Sequence, residues 1–270
     1  MADETNSTDI TKAPVVYRVP GMEAVEVHQV HYGAHSLGPL TMDIYYPPEP
    51  IKRNSLPAVV FVLGYSDIGF QKIFGCNLSQ MESYRCWGRL TAASGMIAIT
   101  YETRQPEKDI HALIQHIQNN AKSLGIDEGT LGMWSCSGNV PLALSVVMDP
   151  KLRSHFRCAA LWYGLMLDLN GKTWIAEAAS KWGFANPCAA RTVEDLAQDV
   201  PIFIARAGHD QNPGLNESLD QFVAEMLRLN LPVTLVNHPT GPHAFDLFDD
   251  SEASRHVIKQ TLLFLRSCLG

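Results

Sequence analysis

The stretch LGMWSCSGN at Leu131–Asn139 runs from an apolar segment into a cluster of small residues. It continues as VPLALSVV at Val140–Val147, which has a proline at its second position. Proline is tolerated in the first turn of a helix, because the backbone N–H has no helical partner there. A strand, a sharp turn carrying serine or cysteine, and a helix together are typical of a nucleophile elbow, whose strained turn exposes the nucleophile.

The elbow can be placed in three frames, because the tight turn needs small residues two positions before and two after the nucleophile. The flanking pairs are Ser135 and Asn139 for Ser137, Trp134 and Gly138 for Cys136, and Met133 and Ser137 for Ser135. The large side chains in the second and third pairs favour Ser137. Asn139, which takes the place of a small residue in this frame, is then expected to adopt left-handed backbone, because asparagine tolerates this conformation better than most residues. Cys136 remains an alternative nucleophile, and an ordinary turn rich in glycine and serine remains the alternative without catalysis.

In the rest of the chain, continuous apolar runs alternate with segments whose apolar residues have helical spacing. Continuous apolar runs predict strands buried on both faces of a parallel sheet, at 58–63, 96–101, 130–134, 158–163, 201–205 and 233–237. Apolar spacing predicts helices at 109–124, 215–230 and 253–268. Two earlier strands, at 25–32 and 40–46 with a turn through Gly33 and Gly38, predict an antiparallel edge. The fold class is therefore α/β, with a mostly parallel central sheet and helices on both faces.

Length and composition favour one globular domain. The 270 residues are 46% hydrophobic and 18% charged, which is enough apolar material for a core. We expect a loose polar arm at 1–24, a single domain at 25–270 and a short, lid-like insertion at 164–200. The net charge of −7 argues against binding nucleic acid or an anionic membrane surface.

The sequence also suggests a location in the cell. No apolar run reaches 18 residues, and the first 13 residues lack the apolar core of a secretory signal. Six scattered cysteines without a C-x-x-C pair are typical of reduced thiols. We therefore predict a cytoplasmic protein.

Four segments resemble the α/β-hydrolase superfamily, in particular its small esterases and dienelactone-hydrolase-like members. They are LTMDIYYPP at 40–48, VFVLGY at 60–65, the elbow region at 127–144 and PHAFD at 242–246. The resemblance spans about residues 25–268 in the expected order. The chain departs from the family's G-x-S-x-G elbow, since Ser135 and Asn139 occupy the glycine positions. Dienelactone hydrolases carry cysteine at the apex, a frame that would put Trp134 at a glycine position here.

The resemblance implies a catalytic base and acid for Ser137. A serine hydroxyl is a weak nucleophile that needs an adjacent base, and in this fold the chain order is serine, acid, histidine. His243, in the loop after the last predicted strand, is the candidate base, and Asp210, after the strand at 201–205, is the candidate acid. Asp246 and Asp249 are rival acids, but they follow the histidine and so break the order.

The resemblance also implies an oxyanion hole and a substrate pocket. Gly138 and Tyr65 are expected to donate backbone N–H groups to the oxyanion, with the Tyr65 hydroxyl as an alternative donor or pocket wall. We expect Gly64, Cys136 and Trp174 beside the substrate. The segments at 69–87 and 164–200 are expected to wall an apolar pocket that suits a small, uncharged ester.

These observations predict a carboxylic ester hydrolase that acts through a Ser-His-Asp triad and an acyl-enzyme on short-chain esters. The expected partner is a small-molecule ester, and no cofactor or metal site is expected; the sequence does not indicate an oligomeric state. One alternative is a dienelactone-type hydrolase that uses Cys136. Another is a non-catalytic ligand-binding protein on a hydrolase scaffold, and a weaker one is a peptidase related to prolyl oligopeptidases, whose propeller is absent from this sequence. Fold alone does not separate these alternatives.

Overall fold

The computed structural model of the protein describes residues 9–48 and 55–270. Eight strands form one sheet in the order β1-β2-β4-β3-β5-β6-β7-β8. Their bounds are Glu26–His35 (β1), Gly38–Tyr46 (β2), Leu56–Phe61 (β3), Ile97–Tyr101 (β4), Ile126–Cys136 (β5), Phe156–Trp162 (β6), Ile202–Ala207 (β7) and Val233–His238 (β8). The first two strands run antiparallel to their neighbours, and all other pairs are parallel. The predicted fold class, with an antiparallel edge, is confirmed.

Helices connect most of the strands. They span Asp67–Phe74 (α1), Glu82–Ala93 (α2), Pro106–Asn120 (α3), Val140–Met148 (α4), Trp174–Trp182 (α5), Leu215–Arg228 (α6), Phe245–Phe248 (α7) and Glu252–Leu269 (α8). Every residue of β4 is buried, and β3 and β6 are buried at all but one position each. Successive side chains of a strand point to opposite faces, so helices must cover both faces of the central sheet. In these described ranges, no helix combines the length and apolar character needed to cross a membrane.

Three segments differ from the sequence-based expectation. The first strand continues through Gly33 to His35 with a bulge after His31, so the turn lies at 36–37 instead of at the glycines. A bulge absorbs one extra residue, which the period-two pattern does not reveal. The stretch at 69–87, which is expected to wall the site, contains most of α1 and the start of α2, two helices that the sequence pattern does not predict. The insertion at 164–200 contains α5 and a short 3-10 helix.

The predicted loose arm does not hold for residues 9–24. Ala13, Val15 and Met22 are buried, and the Val16 N–H donates to the backbone oxygen of Asp246 at 2.8 Å. Half of residues 9–24 are apolar, and Ile10, Val16, Tyr17 and Val19 also pack against the core, whereas most of the polar character of the predicted arm comes from residues 1–8. The remainder of the predicted arm, residues 1–8, lies outside the described residues.

Candidate active site

A strained turn joins β5 to α4. The strand ends at Cys136, and Ser137 then adopts a positive φ of 53° before a 3-10 turn leads into the helix. A non-glycine residue with positive φ is uncommon and costs roughly 1–3 kcal/mol, so it persists only where surrounding structure requires it. Ser137, and neither of its rivals, therefore occupies the apex of the elbow.

Ser137 begins a chain of hydrogen bonds across three loops. Its Oγ lies 2.9 Å from Nε2 of His243, which follows β8. Nδ1 of the same imidazole lies 2.6 Å from Oδ2 of Asp210, which follows β7. The three loops follow β5, β7 and β8, so all leave the carboxyl edge of the parallel part of the sheet, where ligand sites form in α/β sheets. The structure thus brings together the three residues that the sequence selected as nucleophile, base and acid.

The carboxylate of Asp210 is shielded from solvent. Its side chain has no exposed surface, and Oδ1 accepts hydrogen bonds from the backbone N–H and the side-chain amide of Asn212, both at 2.9 Å. Burial works against the charged form, yet the bonds from His243 and Asn212 outweigh it and lower the pKa of Asp210. A carboxylate held ionised in this way fixes the imidazole tautomer and orientation.

The rival residues have other partners. Cys136 is extended, its Sγ lies 3.5 Å from the Tyr84 hydroxyl, and burial raises the pKa of its thiol to about 12, which leaves it protonated. Ser135 is fully buried and donates to the backbone oxygen of Val62. The rival acid Asp249 pairs with His238 at 2.7 Å, apart from the chain that starts at Ser137.

Asn139, at a glycine position of the G-x-S-x-G elbow, links the elbow to two other segments by side-chain hydrogen bonds. Its Oδ1 accepts the Gly64 N–H at 2.7 Å, and its Nδ2 donates to the Tyr84 hydroxyl at 3.0 Å. The backbone at Asn139 is right-handed, with φ −84°, so the expected use of left-handed backbone is wrong. The amide side chain is needed because it supplies both an acceptor and a donor in a buried place.

We expect Asn139→Gly to lower the free energy of unfolding by about 1–3 kcal/mol, although it restores the family's glycine, because the Gly64 N–H loses its partner. Chemical denaturation measures this change. The matched control is Asn230→Gly, an exposed asparagine with φ 54°, where glycine is expected to be neutral or stabilising. Equal stability of the Asn139→Gly variant and the unmodified protein would contradict this account.

Gly64 and Gly138 are required by close packing. The Gly64 carbonyl accepts from Ala185, so both of its backbone polar groups are used within the protein, and it does not line the cavity. It serves loop packing instead of the predicted contact with substrate. A Cβ on Gly138 would lie 2.5 Å from the Tyr65 hydroxyl oxygen and 2.7 Å from the ring of Phe184.

Two backbone N–H groups beside Ser137, those of Tyr65 and Gly138, have no hydrogen-bond acceptor among the described residues. Gly138 lies in the first turn of the 3-10 segment, where N–H groups have no intrahelical acceptor. The Tyr65 N–H donates to none of the described residues, and neither does the Tyr65 hydroxyl. Burial raises the pKa of Tyr65, so this hydroxyl remains a donor.

A cavity of about 530 Å³ opens beside Ser137 and His243. Helices α1 and α5, the loop at Tyr65 and the segment after α5 supply its aromatic wall. The rings are those of Tyr65, Phe70, Phe74, Trp174, Trp182 and Phe184. Cys136 and Trp174, both expected beside the substrate, line this cavity.

A second cavity, of about 660 Å³, lies between α3 and α4 and includes none of the Ser137, His243 and Asp210 side chains. We place the site in the smaller cavity because the hydrogen-bonded side chains of Ser137 and His243 line it. Across the described ranges, no three metal-ligating side chains converge on one point.

The sequence pattern alone does not select Tyr163 or Tyr84 as site residues. The Tyr163 ring packs edge-on against the His243 imidazole with centroids 4.8 Å apart, and Tyr163 itself has a positive φ of 33°. Its position directly after β6, at the same sheet edge as the other site residues, is a signal that could have selected it. Tyr84 comes from α2, which the sequence analysis did not resolve as a helix, so no local signal selected it.

The comparisons with known proteins concern the fold. No protein-family model matches the chain, and no curated protein matches its sequence. Among solved structures, a bacterial heroin esterase superimposes with a TM-score of 0.69 at 14% identity, covering 94% of this chain and 87% of that one. A thermophilic esterase from the planctomycete Thermogutta terrifontis gives 0.67 at 20% identity, covering 92% and 94%. The chain therefore has the α/β-hydrolase fold of these esterases.

Proposed function

We propose that this protein is a carboxylic ester hydrolase with Ser137 as nucleophile, His243 as base and Asp210 as the acid that orients the base. The observation that carries the proposal is the 2.9 Å contact between Ser137 Oγ and His243 Nε2 at the apex of a strained elbow. A serine within hydrogen-bond reach of a histidine, which a carboxylate orients in turn, has the geometry of an activated nucleophile. The esterase structures with the same fold support the reaction class.

In the proposed reaction, His243 accepts the Ser137 proton while Oγ attacks the ester carbonyl. The imidazolium then donates this proton to the leaving alcohol, and an acyl-enzyme remains on Oγ. Water, deprotonated by the same imidazole, attacks the acyl-enzyme and releases the acid. Asp210 stays ionised throughout and stabilises the imidazolium, which its lowered pKa supports.

The oxyanion hole that we propose consists of the backbone N–H groups of Tyr65 and Gly138. Both lie beside Ser137 and have no acceptor in the part of the chain that the structure describes, as an oxyanion hole requires before substrate binds. Each such donor contributes roughly 3 kcal/mol to stabilising the transition state. Tyr65 also lines the cavity and burial keeps its hydroxyl protonated, so we propose this hydroxyl as a second donor to the substrate.

The proposed substrates are short-chain esters without charge. Aromatic side chains dominate the wall of the cavity, and its acidic and lysine side chains are Glu177 and Lys181 on α5 and the buried Asp246. A volume of about 530 Å³ exceeds what a short acyl group fills, so the remaining space suits an apolar alcohol part. All six cysteines are free thiols, which fits a reducing compartment, and we propose that the protein is cytoplasmic.

A fluorophosphonate probe tests the proposal, since it reacts covalently with activated serines. We expect one adduct in the intact mass, mapped to Ser137, and none after His243→Asn, because the hydroxyl then lacks its base. The cysteine alternative predicts instead that thiol alkylation at Cys136 removes activity. The ligand-binding alternative predicts reaction at neither residue, and that result would refute the hydrolase proposal.

A further inference from the structure

Asp246 is a buried carboxyl group that the proposed reaction does not use. It lies in α7, three residues after His243, and is 1% exposed. Oδ1 accepts a hydrogen bond from the Tyr163 hydroxyl at 2.6 Å, and Oδ2 accepts one from the indole N–H of Trp87 at 2.8 Å. An indole N–H can only donate, so two donors converge on this group, an arrangement that suits the ionised form.

Asp246 reaches the catalytic base through Tyr163. The Tyr163 ring packs edge-on against the His243 imidazole, while its hydroxyl is held by Asp246. Ala244 adopts a positive φ of 55° between the two residues, and this turn places His243 and Asp246 on the wall of the same cavity. Ordering of the Tyr163 ring against the imidazole therefore depends on the carboxylate behind it.

Within the described residues, no lysine or arginine forms an ion pair with Asp246, and His243 is the basic side chain that favours its charged form. The titratable side chains that face it are Tyr163 from the end of β6, Tyr84 from α2, Cys136 from the end of β5 and His243. Burial raises the pKa of the tyrosines and of the cysteine, so these three are neutral near pH 7. Trp87 contacts Asp246 through its neutral indole N–H, and Val16 of the N-terminal segment contacts it through a backbone N–H.

We infer that Asp246 is a positioning residue for the reaction, acting as a second carboxylate that favours the imidazolium form of His243 and fixes the Tyr163 ring against it. This inference rests on the proposed function for its catalytic meaning. No proton moves to Asp246: when His243 takes the Ser137 proton, Asp246 stays ionised and keeps both hydrogen bonds. Unlike Asp210, it makes no hydrogen bond to the imidazole.

The sign of the expected effect follows from charge. Burial raises the pKa of Asp246, while the bonds from Tyr163 and Trp87 and the nearby His243 oppose this rise. A negative charge near an imidazole raises the imidazole pKa, so removing that charge lowers it. Asp246→Asn is therefore expected to move the titration of the His243 ring to lower pH. The acidic limb of the kcat/KM profile then moves in the same direction.

Asp246→Asn suits the test because asparagine can keep both contacts. Its Oδ1 can accept from Trp87, and its Nδ2 can donate to the Tyr163 oxygen, since a hydroxyl also accepts. The measurement is an NMR titration of the His243 ring, assigned with His243→Asn. The control is Asp250→Asn, the same charge change at a side chain that is 67% exposed and paired with Arg255. We expect a shifted titration only for Asp246→Asn.

This titration needs no turnover, so it separates the inference from the proposed function. An unchanged His243 pKa in folded Asp246→Asn would overturn the inference even if the protein hydrolyses esters. A shifted pKa in a protein without esterase activity would overturn the proposed function alone. If Asp246→Asn does not fold, the 13Cγ signal of Asp246 in the unmodified protein decides. A signal of an ionised carboxylate at pH 7 is expected, and that of a protonated carboxyl would refute the inference.

Discussion

Ser137→Ala is expected to lower ester hydrolysis by roughly 10⁴- to 10⁶-fold, because no acyl-enzyme can form without its Oγ. The remaining rate over uncatalysed hydrolysis would come from the oxyanion donors and from substrate binding. Initial rates with a short-chain ester such as an acetate or butyrate measure the loss. Fluorophosphonate labelling at this position should disappear in parallel.

The fold should survive this substitution. Alanine keeps the Cβ that the elbow already accommodates at φ 53°, and only the hydrogen bond to His243 is lost. We expect the free energy of unfolding to change by no more than about 1 kcal/mol. A large loss of stability would mean that the fall in activity reports unfolding and not the loss of the nucleophile.

Cys136→Ala is the matched control at the adjacent position. The Cys136 thiol is held protonated by burial and contacts Tyr84, not the histidine, so this variant should retain most of its activity. Complete loss of activity in Cys136→Ala, with activity retained in Ser137→Ala, would reverse the assignment of the nucleophile. Cys136 would then be the nucleophile of the elbow.

The central fold could be predicted from sequence because its signals are local. Buried parallel strands such as β4 and β6 are apolar at nearly every position, and helices such as α6 show a 3.6-residue period. The elbow could be located for a similar reason, since a strand that ends in SCSGN before an apolar helix allows few frames. His243 and Asp210 needed the order of residues implied by the family resemblance.

The remaining features depend on contacts between distant segments. The sequence predicts that Asn139 adopts left-handed backbone. In the structure its side chain instead forms hydrogen bonds with Gly64 and Tyr84, which lie 75 and 55 residues away in the chain. The sequence presents Asp246 only as a rival acid, because its partners Trp87 and Tyr163 are 159 and 83 residues away in the chain. No periodicity or spacing rule reports such pairings, because they arise only when separate loops meet at one sheet edge.

Asp210→Asn is expected to lower turnover by roughly 10³- to 10⁴-fold while leaving Ser137 in place. The carboxylate accepts the Nδ1 proton of His243, and asparagine at this position can present an N–H instead, which favours the wrong imidazole tautomer. Steady-state kinetics should show the loss mainly in kcat, because Asp210 does not line the cavity.

A second Asp–His pair in the same protein supplies the control. Asp249 lies 2.7 Å from His238 and also accepts from Ser251 and Ser254. Asp249→Asn makes the same chemical change outside the catalytic chain, so it should affect stability and leave kcat close to that of the unmodified protein. A larger loss of kcat in Asp249→Asn than in Asp210→Asn would contradict the assigned acid.

The pH dependence of stability provides an independent test of the Asp210 environment. Its pKa is lower in the folded state than in the unfolded chain, so its ionisation stabilises the fold above the unfolded value of about 4. That contribution disappears as the pH falls through the lower, folded pKa. Asp210→Asn lacks the group, so its free energy of unfolding should decline less between about pH 5 and pH 3 than that of the unmodified protein. Parallel declines would show that the Asp210 carboxylate gains no stabilisation from His243 and Asn212.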